Sequence, residues 1–241
     1  MLGRARAAGV ELILTVGTTA DSSAAAVRLA QSHGELYAAV GIQPNHVHEA
    51  RPGDWDRVVA LAAQRRVVAL GETGLDRYWD FAPFDLQREY FDRHLRLSQE
   101  RGLGVVIHCR QAEADLMPML RQAASRGPIR GLLHAFSGTE LVAAECLELG
   151  LMVTFAGNVS YTNKKFGPLR AVAASIPADR LLLETDSPYL IPHPLRGREK
   201  RNEPAWIVHT ARALAELRGV TLEELARQTT TNARRLFGIE L

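Results

Sequence analysis

Short apolar runs alternate with longer segments of helical periodicity along most of the chain. The runs are continuously apolar, which is typical of strands that are covered on both faces. Clear helical segments cover 84–101 and 141–149, and two more close the chain at about 205–217 and 222–236. A repeated strand-then-helix order predicts a parallel sheet with helical crossovers. The seven predicted strands cover 11–17, 36–42, 67–71, 103–108, 131–134, 151–155 and 180–184.

Two architectures produce this alternation. A doubly wound sheet normally binds nucleotide at a glycine-rich first turn, but the sequence contains neither a G-x-G-x-x-G motif nor a P-loop. A (β/α)8 barrel instead carries reactive polar residues at the carboxyl ends of several strands. Because polar residues follow several of the predicted strands, we predict an α/β fold of the TIM-type (β/α)8 barrel. Since no linker or repeat interrupts the pattern, we expect one barrel domain over 1–241, with one of the eight strands still to be accounted for.

The composition excludes several other classes of protein. With 46% hydrophobic residues and a net charge of +2, the chain is not intrinsically disordered. Cys109 and Cys146 are the only cysteines, which excludes a disulfide scaffold, and their spacing argues against a structural zinc site. No apolar run approaches the ~20 residues that cross a bilayer. We therefore expect a cytoplasmic protein that does not use a membrane.

Four predicted strands end in, or just before, a residue that could bind a metal ion: Glu72, His108, His134 and Asp186. Each one alone is more often a structural hydrogen-bonding group or a helix cap. Their coincidence favours a site, because the carboxyl ends of parallel barrel strands converge on one mouth. Imidazole with carboxylate suits Zn²⁺ or Mn²⁺, or Mg²⁺ if further carboxylates and water take part. An aspartate beside an activated water could serve as general base.

Two more acidic residues, Asp76 and Glu184, lie close to these candidates in the sequence. A carboxylate that precedes a turn usually caps a helix or supports a neighbouring group. We therefore interpret Asp76 and Glu184 as capping or supporting residues and not as metal ligands.

Seven short motifs follow one another along nearly the whole chain: VGI at 40–42, GETGLD at 71–76, IHCR at 107–110, HAFSG at 134–138, LLETDSPYL at 182–190, RNEP at 201–204 and NARRLF at 232–237. In this order they resemble the TatD family of metal-dependent deoxyribonucleases. Each motif alone is weakly specific, whereas the ordered set is highly specific. The resemblance implies a TIM barrel of the amidohydrolase superfamily, two divalent metal ions, and cleavage of phosphodiester bonds in DNA by metal-activated water, with exonuclease action expected.

The same resemblance implies a role for each candidate ligand. Glu72 corresponds to the carboxylate that bridges the two ions, and His108 and His134 correspond to imidazole ligands. Asp186 corresponds to a metal-bound carboxylate that also acts as general base. Glu72 and Asp186 are therefore the expected catalytic residues.

A phosphodiester substrate also requires cationic groups near the mouth of the barrel. Arg110 directly follows a ligand strand, and Arg201 lies in the long loop after the last strand, so both are candidates to bind substrate. Arg196 and Arg198 in the same loop suit substrate contact or ordinary surface charge equally well. DNA is the expected partner, and no protein partner is implied.

The sequence departs from the family in two places. The family opens with a strand bearing His-x-His, whereas 1–9 reads as the tail of the helix that follows it. The resemblance therefore implies that the first βα unit of the barrel is largely missing, and we expect the natural protein to begin upstream. Where the family commonly has His-Pro-His, this chain has Gln-Pro-Asn-His at 43–46, and we interpret His46 as a solvated loop residue. Two alternatives remain open: a hydrolase of another ester or amide, and a catalytically impaired remnant that lacks two metal ligands.

Overall fold

Seven parallel strands form one sheet, in sequence order, within residues 1–239, the part of the chain that this computed structural model describes. Helices connect successive strands, as the strand-then-helix pattern predicts. None of the helices in that part of the chain is both long and apolar enough to span a membrane. The strands are β1 (Ile13–Val16), β2 (Leu36–Val40), β3 (Val67–Asp76), β4 (Gly104–Arg110), β5 (Gly131–Leu133), β6 (Met152–Phe155) and β7 (Leu181–Leu183).

The helices follow the predicted positions closely. The segment predicted over 84–101 is a helix with those bounds, and the two closing helices begin and end within two residues of the predicted limits. The helices are α1 (Leu2–Ala7), α2 (Ala20–Ser32), α3 (Asp54–Leu61), α4 (Phe84–Arg101), α5 (Glu113–Arg126), α6 (Glu140–Glu148), α7 (Gly167–Ser175), α8 (Ile207–Arg218) and α9 (Leu222–Phe237).

The sheet is curved so that one face encloses its own core. A single buried cluster takes one side chain from each of the strands β2 to β7, together with Leu236 of α9. Six successive strands can share one small cluster only if the sheet curls around it, as in the interior layers of a barrel. Two larger apolar clusters lie between the sheet and the helices. The six strand residues of the inner cluster are Ala39, Ala69, Val106, Leu132, Met152 and Leu182.

Helix α9 covers the amino-terminal ends of the strands. The Asn232 side-chain amide donates hydrogen bonds to the carbonyl oxygens of Ala178 (2.8 Å) and Leu181 (2.9 Å), at the start of β7. Arg130, just before β5, donates to the carbonyl oxygen of Leu236 (2.8 Å). Since this end of the sheet is occupied by a helix, the opposite, carboxyl end is the end available for a site.

One local prediction needs correction. Strand β3 extends to Asp76, not only to position 71, because its register with β4 shifts between Leu70 and Thr73 and pairing then resumes. Glu72 therefore lies within a strand and not at its end.

A buried histidine in α4 makes the stability of the fold depend on pH. His94 is fully buried, its Nε2 accepts a hydrogen bond from the Ile42 N–H (3.1 Å), and its Nδ1 lies 2.7 Å from the Tyr90 carbonyl oxygen. The pKa of His94 is lowered to about 4, mainly by burial and in part by the charge of Arg93, while the hydrogen bond to the Tyr90 carbonyl oxygen opposes the shift. At pH values between the lowered pKa and the ordinary pKa of histidine, His94 is therefore protonated more readily in the unfolded chain than in the folded one.

We expect the free energy of unfolding to fall as pH is lowered from 7 to 4.5, by about 2–3 kcal/mol on account of His94. The stabilisation is complete above the ordinary histidine pKa and is lost as pH approaches the lowered one. Denaturant unfolding at both pH values, in wild type and His94→Gln, measures this contribution. Equal pH dependence in the two proteins would show that His94 does not control it.

Candidate metal centre

The inner face of the sheet carries polar side chains one layer beyond the apolar core. Alternate residues of a strand point to the same face. His108 lies two residues after Val106, His134 two residues after Leu132, and Glu184 two residues after the inner-cluster residue of β7. These three side chains are therefore directed to the inside, at the carboxyl end of the sheet.

Glu72, His108 and His134 form a compact cluster in this layer. The Glu72 Oε1 atom lies 2.9 Å from His108 Nδ1 and 3.5 Å from His134 Nε2. One potential ligand atom from each residue lies within 4.8 Å of the others, and the three side chains are only 13–17% exposed. One carboxylate and two imidazoles at this spacing can hold a divalent cation. The structure thus brings together three of the four predicted ligands.

The second nitrogen of each imidazole is held by another carboxylate. Asp76 Oδ2 lies 2.9 Å from His108 Nε2, and Glu184 Oε1 lies 3.3 Å from His134 Nδ1. Glu184 Oε1 also accepts a hydrogen bond from the Ala135 N–H (2.5 Å). Carboxylates in this position fix the orientation and tautomer of a histidine ligand. Asp76 and Glu184 thus lie where carboxylates that support histidine ligands are found.

The same charges shift the acidity of the cluster. Burial alone would raise the pKa of Glu72 and lower those of the two histidines, but the ion pairs among them outweigh burial. The pKa of Glu72 is therefore well below its usual range, with His134 making the largest opposing contribution. The pKa of His108 is raised by Asp76 and Glu72, and that of His134 is raised well above its usual value by Glu184 and Glu72. The site thus strongly favours an ionised carboxylate surrounded by positive charge.

Asp186, the fourth predicted ligand, lies outside this three-residue group in the part of the chain that the structure describes. It follows β7 in a loop and has a left-handed backbone conformation, with φ of 51°. Burial raises its pKa to about 7, and the charges of Glu184 and Glu72 add to that effect, while His134 and His108 oppose it. The charges of the cluster therefore act on the Asp186 carboxyl group. Its raised pKa allows it to bind or release a proton near neutral pH.

Asn202 secures the loop that carries Asp186, and sequence reasoning did not predict this. Its side chain is 1% exposed, and its Nδ2 donates to the carbonyl oxygens of Thr185 (2.6 Å), Tyr189 (2.7 Å) and Leu190 (3.3 Å). Its Oδ1 accepts from the Glu203 N–H (2.9 Å). In the sequence, Asn202 is distinguished only by its place in the RNEP motif, and that motif does not show which groups its side chain contacts.

We expect Asn202→Ala to lower kcat about 10- to 100-fold, because residues that orient a metal centre typically have effects of this size. The variant removes the donor from three partly buried carbonyl groups, so its unfolding free energy should also fall by about 1 kcal/mol. Steady-state kinetics and thermal unfolding measure the two effects. Asn163→Ala, in an exposed loop, is the matched control and should change neither kcat nor the unfolding free energy. An Asn202→Ala variant with normal kcat would contradict the positioning role of Asn202.

The remaining sequence candidates are at least partly exposed. Arg110 is exposed, and its guanidinium lies over the ring of Tyr78, 3.7 Å from the centroid. Arg201 is exposed in the loop before α8. The side chain of His46 is 40% exposed and its Nδ1 lies 3.0 Å from Glu49 Oε1, but His46 lies in a short 3-10 helix, Pro44–Glu49, and not in a loop.

An asparagine in the altered 43–46 segment contacts the centre instead. Asn45 Nδ2 donates to Asp76 Oδ2 (2.9 Å), the same oxygen that holds His108. Asn45 therefore helps to position Asp76, the carboxylate that contacts His108. The sequence did not indicate this contact.

Comparison with known proteins identifies the family. The family described as TatD related DNase matches residues 1–238. The chain belongs to the TatD family. A metal-dependent hydrolase of Bacillus subtilis, YabD, is 38% identical over 239 residues, covering 99% of this chain and 92% of the relative. The 3'-5' ssDNA/RNA exonuclease TatD of Citrobacter rodentium is 37% identical over 243 residues, covering 100% and 92%.

A solved TatD structure has the same fold. The crystal structure of YJJV, a TatD homologue from Escherichia coli, superposes with a TM-score of 0.90 at 30% identity, covering 99% of this chain and 91% of the other. The predicted α/β, TIM-barrel type of fold is therefore confirmed, and so is the interpretation of the chain as a hydrolase of the TatD family.

Proposed function

We propose that this TatD-family hydrolase cleaves phosphodiester bonds in DNA, removing nucleotides from a strand end with the help of divalent metal ions. The observation that carries the proposal is the Glu72–His108–His134 cluster, whose ligand atoms lie within 4.8 Å of one another. The relative from Citrobacter rodentium, named as an exonuclease, supports the substrate class.

The donor set fits a metal ion. Glu72, His108 and His134 would hold it, and Asp76 and Glu184 already contact the outer nitrogens of the two imidazoles. A bound divalent cation supplies electrostatic stabilisation of a phosphoryl oxygen and makes water more acidic. We propose two ions per chain, which Glu72, His108, His134 and Asp186 would hold.

The residues of the chain perform the other steps. Asp186 accepts the proton of the attacking water, which its near-neutral pKa allows. Glu184 and Asp76 keep the two imidazoles oriented while charge changes nearby. Arg110 and Arg201 bind phosphate oxygens of the substrate on either side of the centre.

The test is degradation of single-stranded DNA labelled at the 5' or the 3' end, with Mg²⁺, Mn²⁺ or a chelator. We expect mononucleotides to be released progressively from one end with either metal and no cleavage with the chelator. Turnover of a phosphotriester or a cyclic amide without DNA cleavage would instead favour the alternative ester or amide hydrolase.

Elemental analysis tests the metal content of the same protein. Two ions per chain are expected, and fewer would contradict the dinuclear part of the proposal. A chain that binds none and cleaves nothing would support the alternative of a catalytically impaired remnant.

A further inference from the structure

The loop directly after β3 exposes three aromatic side chains. Tyr78, Trp79 and Phe81 are 47%, 43% and 56% exposed. Single exposed apolar side chains are common on protein surfaces. A group of large ones is less common and usually marks an interaction surface. We call these three residues the aromatic platform.

The rings of the platform are organised among themselves. Trp79 and Phe81 are nearly parallel, with centroids 5.1 Å apart and an interplanar angle of 9°. Tyr78 meets Trp79 edge to face, with centroids 4.8 Å apart. A stacked pair of exposed rings presents flat surfaces that another planar group can extend.

A positive charge accompanies the platform. The Arg110 guanidinium lies 3.7 Å from the centroid of Tyr78 and 5.6 Å from that of Trp79. The neighbouring Arg77 is instead paired with Asp115 at 2.6 Å. Asp80 adds a negative charge to the same loop, so general attraction of an anion is weak here. Binding to the platform must therefore depend on ring surfaces, with one guanidinium beside them.

One carboxylate joins the platform to the candidate metal centre. Asp76 Oδ1 accepts hydrogen bonds from the backbone N–H groups of Tyr78 (2.8 Å) and Trp79 (3.0 Å). Its Oδ2 lies 2.9 Å from His108 Nε2. Because Asp76 is buried, the platform has a fixed position next to the cluster.

We propose that Tyr78, Trp79 and Phe81 stack on unpaired bases of a single-stranded nucleic acid whose backbone enters the metal centre, while Arg110 contacts a phosphate beside the stacked base. This inference rests on the proposed phosphodiesterase function. Bases of a single strand expose their faces to aromatic side chains, whereas bases inside a duplex are already stacked on each other. The platform therefore selects single strands.

Binding is tested with a single-stranded oligonucleotide and an abasic strand of the same length, each fluorescently labelled. All proteins in this assay also carry Glu72→Gln, so that the labelled strand is not cleaved during the measurement. We expect Trp79→Ala to weaken binding of the base-containing strand about 5- to 100-fold, the range that loss of one stacking contact gives. Binding of the abasic strand should not change, and Trp79→Phe should restore most of the affinity.

Kinetics of the enzyme with Glu72 intact give an independent measurement. Trp79→Ala should raise KM for single-stranded DNA and leave kcat nearly unchanged. Leu29→Ala, which truncates an exposed apolar residue of α2, is the matched control and should alter neither value.

The outcomes separate the two proposals. If the wild-type enzyme cleaves DNA but Trp79→Ala weakens both strands equally or neither, stacking is wrong and the proposed function stands. If the wild-type enzyme neither binds nor cleaves nucleic acid, both proposals are wrong.

Discussion

Glu72→Gln should abolish most phosphodiester hydrolysis, with a loss of more than about 100-fold in kcat. The substitution keeps the shape of the side chain but removes the negative charge that lies 2.9 Å from His108 and 3.5 Å from His134. A neutral amide binds a divalent cation far more weakly than a carboxylate does. Since loss of a residue that merely supports a ligand typically costs 10- to 100-fold, loss of a ligand itself should cost more. Hydrolysis of labelled DNA and metal content measure the effect together.

The matched control for this substitution is Glu49→Gln. Glu49 is exposed, and its side-chain partners within the described residues are His46 and His48, so the same chemical change there should leave activity and metal content as in wild type. Thermal unfolding of both variants checks that the fold is retained. A Glu72→Gln enzyme with wild-type kcat and full metal content would overturn the proposed centre.

The hydrophobic pattern was enough to predict the order of strands and helices. Continuous apolar runs identify strands buried on both faces, and all seven of these were confirmed. The pattern failed within β3, where apolar residues give way to the GETGLD motif. Pairing continues there because Gly74, with φ of 137°, lets the backbone approach β4: a Cβ atom at this position would lie 2.0 Å from the His108 carbonyl oxygen. Such a close approach between backbones leaves no mark in a hydrophobicity pattern.

The inner part of the site could be predicted, because parallel strands direct their carboxyl ends to one region. Glu72, His108 and His134 are therefore brought together from separate strands. The outer part could not be predicted, because the contacts of Asn45 and Asn202 depend on the paths of loops. Asparagine is common in loops for many reasons, so its presence there carries little information about contacts.

Asp186→Asn should lower kcat by about 100- to 10,000-fold, the range that loss of a general base gives. The amide has similar size but cannot accept the proton of the attacking water. Because Glu72, His108 and His134 are intact in this variant, we expect it to retain metal bound by that cluster. Loss of activity with retained metal distinguishes Asp186→Asn from Glu72→Gln, in which both are lost.

The pH dependence of activity provides the decisive measurement for Asp186. A general base must be ionised to accept a proton, so wild-type activity should rise with pH through the pKa of Asp186. Burial raises this pKa to about 7, and a bound cation would lower it. The residual activity of Asp186→Asn should lack this rise. Asp85→Asn, at a surface position that is 97% exposed, should keep the wild-type profile. If the Asp186 variant also keeps it, another group accepts the proton and the role assigned to Asp186 is wrong.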